Sequence, residues 1–495
     1  MLADIKSTFK NSLIYGLGNL SSKLVGLILL PLYTSYLTVA DYGTLGILEV
    51  SGQIFAGIFG LGLAQGFFRW YWDKRYVHAQ KALFFSVLIF LLITSFVITF
   101  LFSLVSDKLS WLLFNKVELS AVLRLMFLSS ALDIVILIPN SLIRLQEKPV
   151  LFTVANIIKL TVSLTLTVYF ITGLNLQIKG IYYAQICGQV IFILILISFI
   201  KKNVQCHFEK VIFIDLLKYS IPLALSSIAA LALSISDRYI LRFLGGLEAV
   251  GLYSLGFKMA NTIYVFVVSS VNLAVSPMIY KKMDEPEHKR FYTKLLTYYV
   301  FGVLICVMGM SVFGKEVIKI LSSSISYYDA HKVIPILSFS ILFIVMRDTS
   351  MIGLLKMQKS KTIAIAVFIA AAINIMLDFI FIYFFKTIGA ATATLCSQGI
   401  YFLLIYYLSQ RAYKIPYETG KLVKMLLTAV SLTLVALSFN DSSFYIRMSI
   451  KFLLIILFPV ILYFLNFYEK VELEKIQGFW IKWRNPINWR KNLKL

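Results

Sequence analysis

Charge is scarce in this chain. Only 14% of its 495 residues are Asp, Glu, Lys or Arg, too few to clothe the water-facing surface of a globular domain. Proline is also rare, at 10 residues, so little interrupts long helices. Short segments of alternating polarity are missing, which excludes a membrane β-barrel. Histidine occurs four times, as His78, His207, His288 and His331. All four fall between hydrophobic runs and none has metal-ligand spacing, so no metal site is expected. No Gly-x-x-x-x-Gly-Lys loop is present, which removes direct use of ATP, and Ser/His/Asp chemistry has no locus. Neither a cofactor nor an enzymatic activity is expected. Of the four cysteines, Cys187, Cys306 and Cys396 lie in apolar runs and Cys206 in a basic connector, so no disulfide is expected.

Hydrophobic residues make up 59% of the chain. They are gathered into runs of about 20 residues, the helix length that crosses an apolar layer of about 30 Å. The fold class that follows is an all-α integral membrane protein of about fourteen transmembrane helices. Spans are expected near 11–36, 42–68, 82–105, 120–143, 149–172, 179–200, 217–243, 249–280, 295–313, 333–355, 362–385, 388–409, 422–438 and 446–467. The first run is too long for a signal h-region and lacks a small-residue cleavage site, so it is expected to be kept. After the last span comes a basic tail with Trp480, Trp483 and Trp489, side chains that favour the membrane interface.

The net charge of +23 does not point to nucleic acid. The basic residues recur after every second span, as the positive-inside rule requires. Arg69, Lys74, Arg75 and Lys81 fill one such connector, Lys201, Lys202 and Lys210 another, and Lys281, Lys282, Lys289 and Arg290 a third. Both termini and these connectors are therefore expected in the cytoplasm, with the chain in a bacterial inner membrane.

An internal repeat divides the spans. Lys10-Asn11-Ser12 before the first span answers Lys218-Tyr219-Ser220 before the seventh, and Gly43 answers Gly251, both at an offset of 208. R-L-Q-E-K-P (144–149) answers L-L-K-M-Q-K-S-K (354–361). G-I-Y-Y-A-Q-I-C-G-Q (180–189) answers G-A-A-T-A-T-L-C-S-Q (389–398) at an offset of 209. Two six-helix lobes follow, at 1–203 and 204–412, then an appended pair at 413–468 and the tail at 469–495. Because six is even, the lobes enter the membrane in the same direction. They are expected to be related by a pseudo-two-fold axis along its normal, around which they can rock.

Charges inside spans cost at least about 2.5–3.5 kcal/mol each and need a reason. Tyr15, Asn19, Ser22, Lys23 and Gly26 share one face of the first span. Ser227, Ala230, Ser234, Asp237, Arg238 and Arg242 form the corresponding stripe of the seventh. Lys159, Lys258 and Arg347 add cations. These place Lys23, Asn19, Lys159, Arg238, Lys258 and Arg347 as candidates for binding an anionic substrate in a wet central cavity, a phosphate or pyrophosphate head group being the fitting class. The acids Glu49, Asp133, Asp237 and Asp378 are candidates for ion coupling, with Asp348 a further intramembrane acid. Neighbours on a helix point about 100° apart, so Asp237-Arg238 and Arg347-Asp348 need not neutralise each other. Arg242 sits where its side chain can snorkel outward. Gly57, Gly60, Gly62 and Gly66 read as a packing or bending device.

The strings K-N-S-L-I-Y-G-L-G-N-L-S-S-K-L-V-G (10–26), L-P-L-Y-T-S-Y-L-T-V-A-D-Y-G (30–43) and R-L-Q-E-K-P resemble those of Wzx-type polysaccharide flippases. These belong to the multidrug/oligosaccharidyl-lipid/polysaccharide exporter superfamily. The resemblance implies a flippase that moves an undecaprenyl-pyrophosphate-linked oligosaccharide to the outer leaflet by alternating access. Membrane lipids, and a polysaccharide polymerase of an O-antigen, capsule or other exopolysaccharide pathway, would be its partners. Relatives that flip the peptidoglycan precursor tend to carry an arginine set on the first helices, where this chain has Lys23 followed by Glu49. Multidrug or cation antiporters of the same superfamily are the nearest alternative. A membrane glycosyltransferase or O-antigen polymerase is the other, disfavoured because the longest outer connector is only about 20 residues, near 314–332.

Overall fold

A computed structural model describes residues 26–283, 285–470 and 473–474, and among them every regular element is helical. Among the described residues ten helices are long and apolar enough to cross a membrane, or eleven if one bent pair is a single span. Two of the ten are far longer than a bilayer needs: the stretches 210–281 and 360–412 hold 72 and 53 residues. Each is broken, at Gly246 (φ 86°, ψ 174°) and at Lys386 (φ 47°, ψ −121°). Most of the expected first span lies outside the described residues, so the expected total of fourteen is not counted directly.

The elements are α1 (Leu30–Tyr36), α2 (Val39–Phe59), α3 (Leu63–Trp70), α4 (Gln80–Leu104), α5 (Ser106–Phe114), α6 (Ser120–Leu145), α7 (Pro149–Val168) and α8 (Gln177–Asn203). They continue as α9 (Lys210–Ile263), α10 (Ser269–Lys281), α11 (His288–Leu321), α12 (Ile334–Ser350), α13 (Ile352–Lys356), α14 (Ser360–Ala412), α15 (Thr419–Ser438) and α16 (Phe444–Phe464). The short α5, in the connector after the third expected span, has no counterpart in the hydropathy reading.

Local chemistry sets the boundaries. Thr38 and Asp41 form a reciprocal capping box at the start of α2: Asp41 N donates to Thr38 Oγ1 at 3.1 Å and Thr38 N donates to Asp41 Oδ2 at 3.2 Å. That satisfies donors which would otherwise be orphaned at a helix start. Pro31, Pro149 and Pro335 sit in the first turns of α1, α7 and α12, where a missing N–H costs nothing. Between α2 and α3 the chain bends by 43° at Gly60-Leu61-Gly62, with Gly62 at φ 63°. The glycine-rich stretch thus bends a helix, and it also admits a neighbour: a Cβ on Gly66 would stand 2.1 Å from Ser220 Oγ.

In the first half of the chain α6 packs on α4, α8 and α2, and α7 on α8. In the second, α14 packs on α9 and α12, and α11 on α12. The α8 helix ends at Asn203 and α9 begins at Lys210, on either side of the expected lobe boundary. The start of α9 leans on the first half: Tyr76 donates to Asp215 Oδ2 at 3.0 Å and Glu209 N donates to Ser86 Oγ at 2.9 Å. Farther along, Ser236 on the same helix bonds to Asn374 and Asp378 of α14. This helix, bearing Pro222, therefore touches both halves. The α15 and α16 helices pack on each other and on α11. Many of the largest apolar side chains face outward, Phe96, Phe100, Tyr383, Phe384 and Ile456 among them, as lipid-facing residues should.

Candidate functional site: a cavity between the two halves

Small and polar residues at helical spacing, on α2 and on the two parts of α9 either side of its break, meet between the two halves of the chain. Along α2 they are Tyr42, Gly46, Glu49 and Gln53, and along the first part of α9 they are Ala230, Ser234 and Arg238. After the break at Gly246, Ser254, Lys258 and Asn261 follow on the same element. Steps of three and four residues put each set on one helix face. They line a cavity of two chambers, about 260 Å³ and about 350 Å³, which share Ser234, Phe257 and Asn261. The larger adds Tyr264, Arg347, Thr394, Gln398 and Tyr401.

Three of the cations expected at a substrate site are brought together here. Lys258 Nζ lies 3.5 Å from the Tyr42 hydroxyl and over its ring, in the chamber that Glu49 also lines. At that distance the hydrogen bond is marginal. A Cβ on Gly26 would stand 3.1 Å from Lys258 Cε, so the one described member of the first span's polar stripe reaches this chamber. Arg238 stacks on Phe257, 4.3 Å from the ring centroid, and donates to Ser234 O at 3.2 Å. Arg347 lies over Tyr401 at 4.7 Å and donates from Nη1 to Gln398 Oε1 at 3.3 Å. Stacking on aromatic faces holds guanidinium groups without using their hydrogen-bonding edges fully.

The neighbouring acids do pair with these arginines, which a 100° step permits but does not require. Arg347 Nε and Nη2 donate to Asp348 Oδ1 at 2.9 and 2.7 Å. Arg238 Nη1 lies 3.4 Å from Asp237 Oδ1. The reason is reach: a guanidinium on its long stem folds back over one helix step when little water competes for it.

Other expected site residues sit elsewhere. Lys159 Nζ lies 3.4 Å from Asp133 Oδ1 and above the Phe192 ring, a pair that joins α7 to α6 away from the cavity. Arg242 reaches the connector helix α5, where its Nε donates to Leu113 O at 2.6 Å. Lys23 and Asn19 lie outside the described residues.

Asp237 and Asp378 are buried behind the cavity wall. Asp237 accepts from the Tyr253 hydroxyl and from Arg238 N. Asp378 Oδ2 accepts from Ser236 Oγ at 3.1 Å, while its Oδ1 has no hydrogen-bond partner among the described residues. Asn374 Oδ1 takes a bond from the same serine, and Thr394 Oγ1 lies 3.3 Å from the Tyr253 hydroxyl. The donor set is all oxygen, suited to a proton or a small hard cation rather than a transition metal.

Sequence reasoning passed over Tyr42, Gln53, Asn261, Gln398 and Thr394. Asn261 carries a usable signal, falling three residues after Lys258 on its face; Gln398 stands out in the sequence only as part of the repeat.

The model of a family described as polysaccharide biosynthesis protein matches residues 8–283, and a MatE model matches residues 222–380. No curated protein matches the sequence. Among solved structures, one described as lipid II flippase MurJ in an inward closed conformation is similar with a TM-score of 0.74 and 17% identity. That match covers 91% of this chain and 99% of the other. A multidrug resistance MATE family transporter of the MOP superfamily is similar in its inward-facing form (TM-score 0.65, 14% identity, 80% and 94% covered). Its outward-facing form is also similar (0.60, 15%, 81% and 95%). The chain has the fold of these transporters.

Proposed function

The chain belongs to the polysaccharide biosynthesis protein family, and on that premise we propose that it is a flippase for undecaprenyl-pyrophosphate-linked oligosaccharides, carrying them from the cytoplasmic to the outer leaflet of a bacterial inner membrane. One observation carries the reading: Arg238 and Lys258 line a chamber whose opposite wall is α2 of the first half, and Arg347 lines an adjoining chamber within the second half that shares Ser234, Phe257 and Asn261 with it. A pyrophosphate in transit needs positive charge that water cannot supply inside a membrane, and cations in a closing cavity provide it. The two lobes, 1–203 and 204–412, rock about their shared contact, with Lys23 of the first span adding a cation to the set and the neutral amide of Asn19 a hydrogen-bonding group beside it. The sugar and pyrophosphate cross the cavity while the polyprenyl tail stays in lipid.

Asp237 and Asp378 are the coupling acids in this scheme. A buried carboxylate with an unused oxygen gains by binding a proton or small cation, and the polar bridge through Ser236 ties that event to the helix that bears Arg238. Glu49 shares the substrate cavity, whereas Asp133 serves as the ion-pair partner of Lys159.

A second reading has support from the MatE match over residues 222–380 and from Glu49 in the cavity: export of organic cations. Proteoliposomes separate the two. The account expects translocation of a fluorescent pyrophosphate-linked oligosaccharide and no efflux of a cationic dye; the reverse result favours the antiporter.

A further inference from the structure

A third chamber, of about 160 Å³, lies in the second half of the chain, between α10, α11 and α12. Its polar lining is Asn272, Ser276, Tyr280, Tyr299, Asp348 and Thr349. It runs toward the end of the bundle where α10 finishes at Lys281 and α13 at Lys356. Asp348 is thus on the wall of this chamber while Arg347, one residue earlier, is on the wall of the central cavity. The ion pair between them is the partition. Asp348 Oδ1 takes both guanidinium bonds, from Nε and from Nη2, which is the fork that otherwise grips two phosphate oxygens.

Next to the partition α9 passes into a five-residue π-helical segment, Tyr264–Val268, a geometry that frees backbone carbonyls and recurs at functional sites. The Tyr299 hydroxyl donates to one of them, Val268 O, at 2.9 Å, and to Asn272 Oδ1 at 3.0 Å. Room for several waters, each needing about 30 Å³, and polar partners for them are therefore both present. Tyr280 and Tyr299 line the chamber with Asp348, while Arg347 and the phenols of Tyr264 and Tyr401 lie near it across the partition. Arg347 is the one cation in that set.

We propose that the chamber behind Asp348 is a proton path, and that Asp348 takes up a proton from water there when an anionic head group binds Arg347. With Asp348 ionised, the pair is neutral and the cavity wall offers the substrate no net charge at this point. Transfer of a proton from water in the chamber to the carboxylate leaves the guanidinium positive, and the phosphate oxygens replace the carboxylate on its fork. Substrate binding at this position therefore consumes one proton from the side on which the chamber opens. The inference rests on the anionic-substrate reading of the central cavity and adds a specific proton acceptor to it.

The test is calorimetric titration of the full-length protein in nanodiscs with farnesyl pyrophosphate, in two buffers of different ionisation enthalpy, comparing wild type with Asp348→Asn and Asp348→Glu. The proposal expects Asp348→Asn to bind about tenfold tighter or more, since a charge-masking hydrogen-bonded partner is gone. It also expects this variant to take up about one proton fewer than wild type, because the site no longer holds the acceptor. Asp348→Glu keeps the uptake and shows that the fold tolerates the position. If wild type binds but Asp348→Asn matches it in affinity or in proton uptake, the proton path is wrong while the anionic cavity stands. If farnesyl pyrophosphate binds neither wild type nor Asp348→Asn, the anionic reading of the cavity fails, and this inference with it.

Discussion

Gly43 of α2 and Gly251 of α9 press against each other's helices reciprocally. A Cβ on Gly43 would stand 1.9 Å from Leu247 O, and one on Gly251 would stand 2.1 Å from Val39 O. Each carbonyl belongs to the residue four positions before the opposite glycine, so the contact is the same seen from either side, as a two-fold relation demands. One turn deeper, a Cβ on Gly46 would stand 2.6 Å from Ser254 Oγ, and 46 and 254 are again 208 apart.

Larger side chains at this crossing must drive the two backbones apart. Gly43→Val and Gly251→Val are each expected to lower the melting temperature of the purified protein and to abolish surface glycan in a complementation assay, since overpacking costs about 1–3 kcal/mol or more where backbone cannot yield. Val substitutions at Gly302, where a Cβ meets nothing within 4 Å, should leave both readouts near wild type.

The appended α16 is pinned to α11 by a buried ionic triad: Lys451 Nζ is 2.8 Å and Arg447 Nε 2.7 Å from the two oxygens of Glu316. Removing the shared acid strands two cations, whereas removing one cation leaves a pair. Glu316→Gln should therefore destabilise more than Lys451→Met. Losses of about 3–5 kcal/mol are usual when a buried partner is removed. Thermal melts of the two variants that ranked the other way would show that the triad does not hold the helix.

Outside the spans, a network at the start of α15 has a pH signature. Burial works against the charge of Glu418, but bonds from Lys294, Thr297 and Lys421 outweigh it and hold the carboxyl below its usual range. Glu469 is lowered by its bond to Lys294 first, with Lys421 adding to it. Depressed acids contribute stability that is present above the unfolded pKa of about 4.3 and is lost as pH falls through the folded value. Melting temperature should therefore drop between about pH 5 and pH 3, and Glu418→Gln should flatten that drop.

Much of this architecture was legible because lipid imposes a simple code. Runs of apolar residues place most of the described spans within a few residues, although the helix expected at 295–313 runs His288–Leu321; the Gly43–Gly251 offset marks a reciprocal helix contact, and the stripe through Ala230, Ser234 and Arg238 lies on the cavity wall. Tertiary partners were not legible. Periodicity puts Lys159 on a helix but does not say that Asp133 will claim it, and a 100° step says nothing of how far a guanidinium folds back to Asp348. The Glu316 triad was missed for the same reason: Glu316 and Lys451 are 135 residues apart and sit near span ends, where charge reads as solvated. Lys23 and Asn19 lie outside the described residues and stand as proposals.

The central claim is that the cations of the shared cavity, and not intramembrane cations in general, carry the head group. Translocation of a pyrophosphate-linked oligosaccharide in proteoliposomes should be measured for wild type, Arg238→Ala, Lys258→Ala and Arg347→Ala, with Lys159→Ala as the out-of-cavity control. Loss of one charged hydrogen bond in the transit state is worth about 1.5–3 kcal/mol, so the three cavity variants should slow by about tenfold or more, and Lys258→Arg should retain most of the rate. Lys159→Ala should stay near wild type. Cavity variants that translocate at the wild-type rate, or a Lys159→Ala loss as large as theirs, would contradict the account.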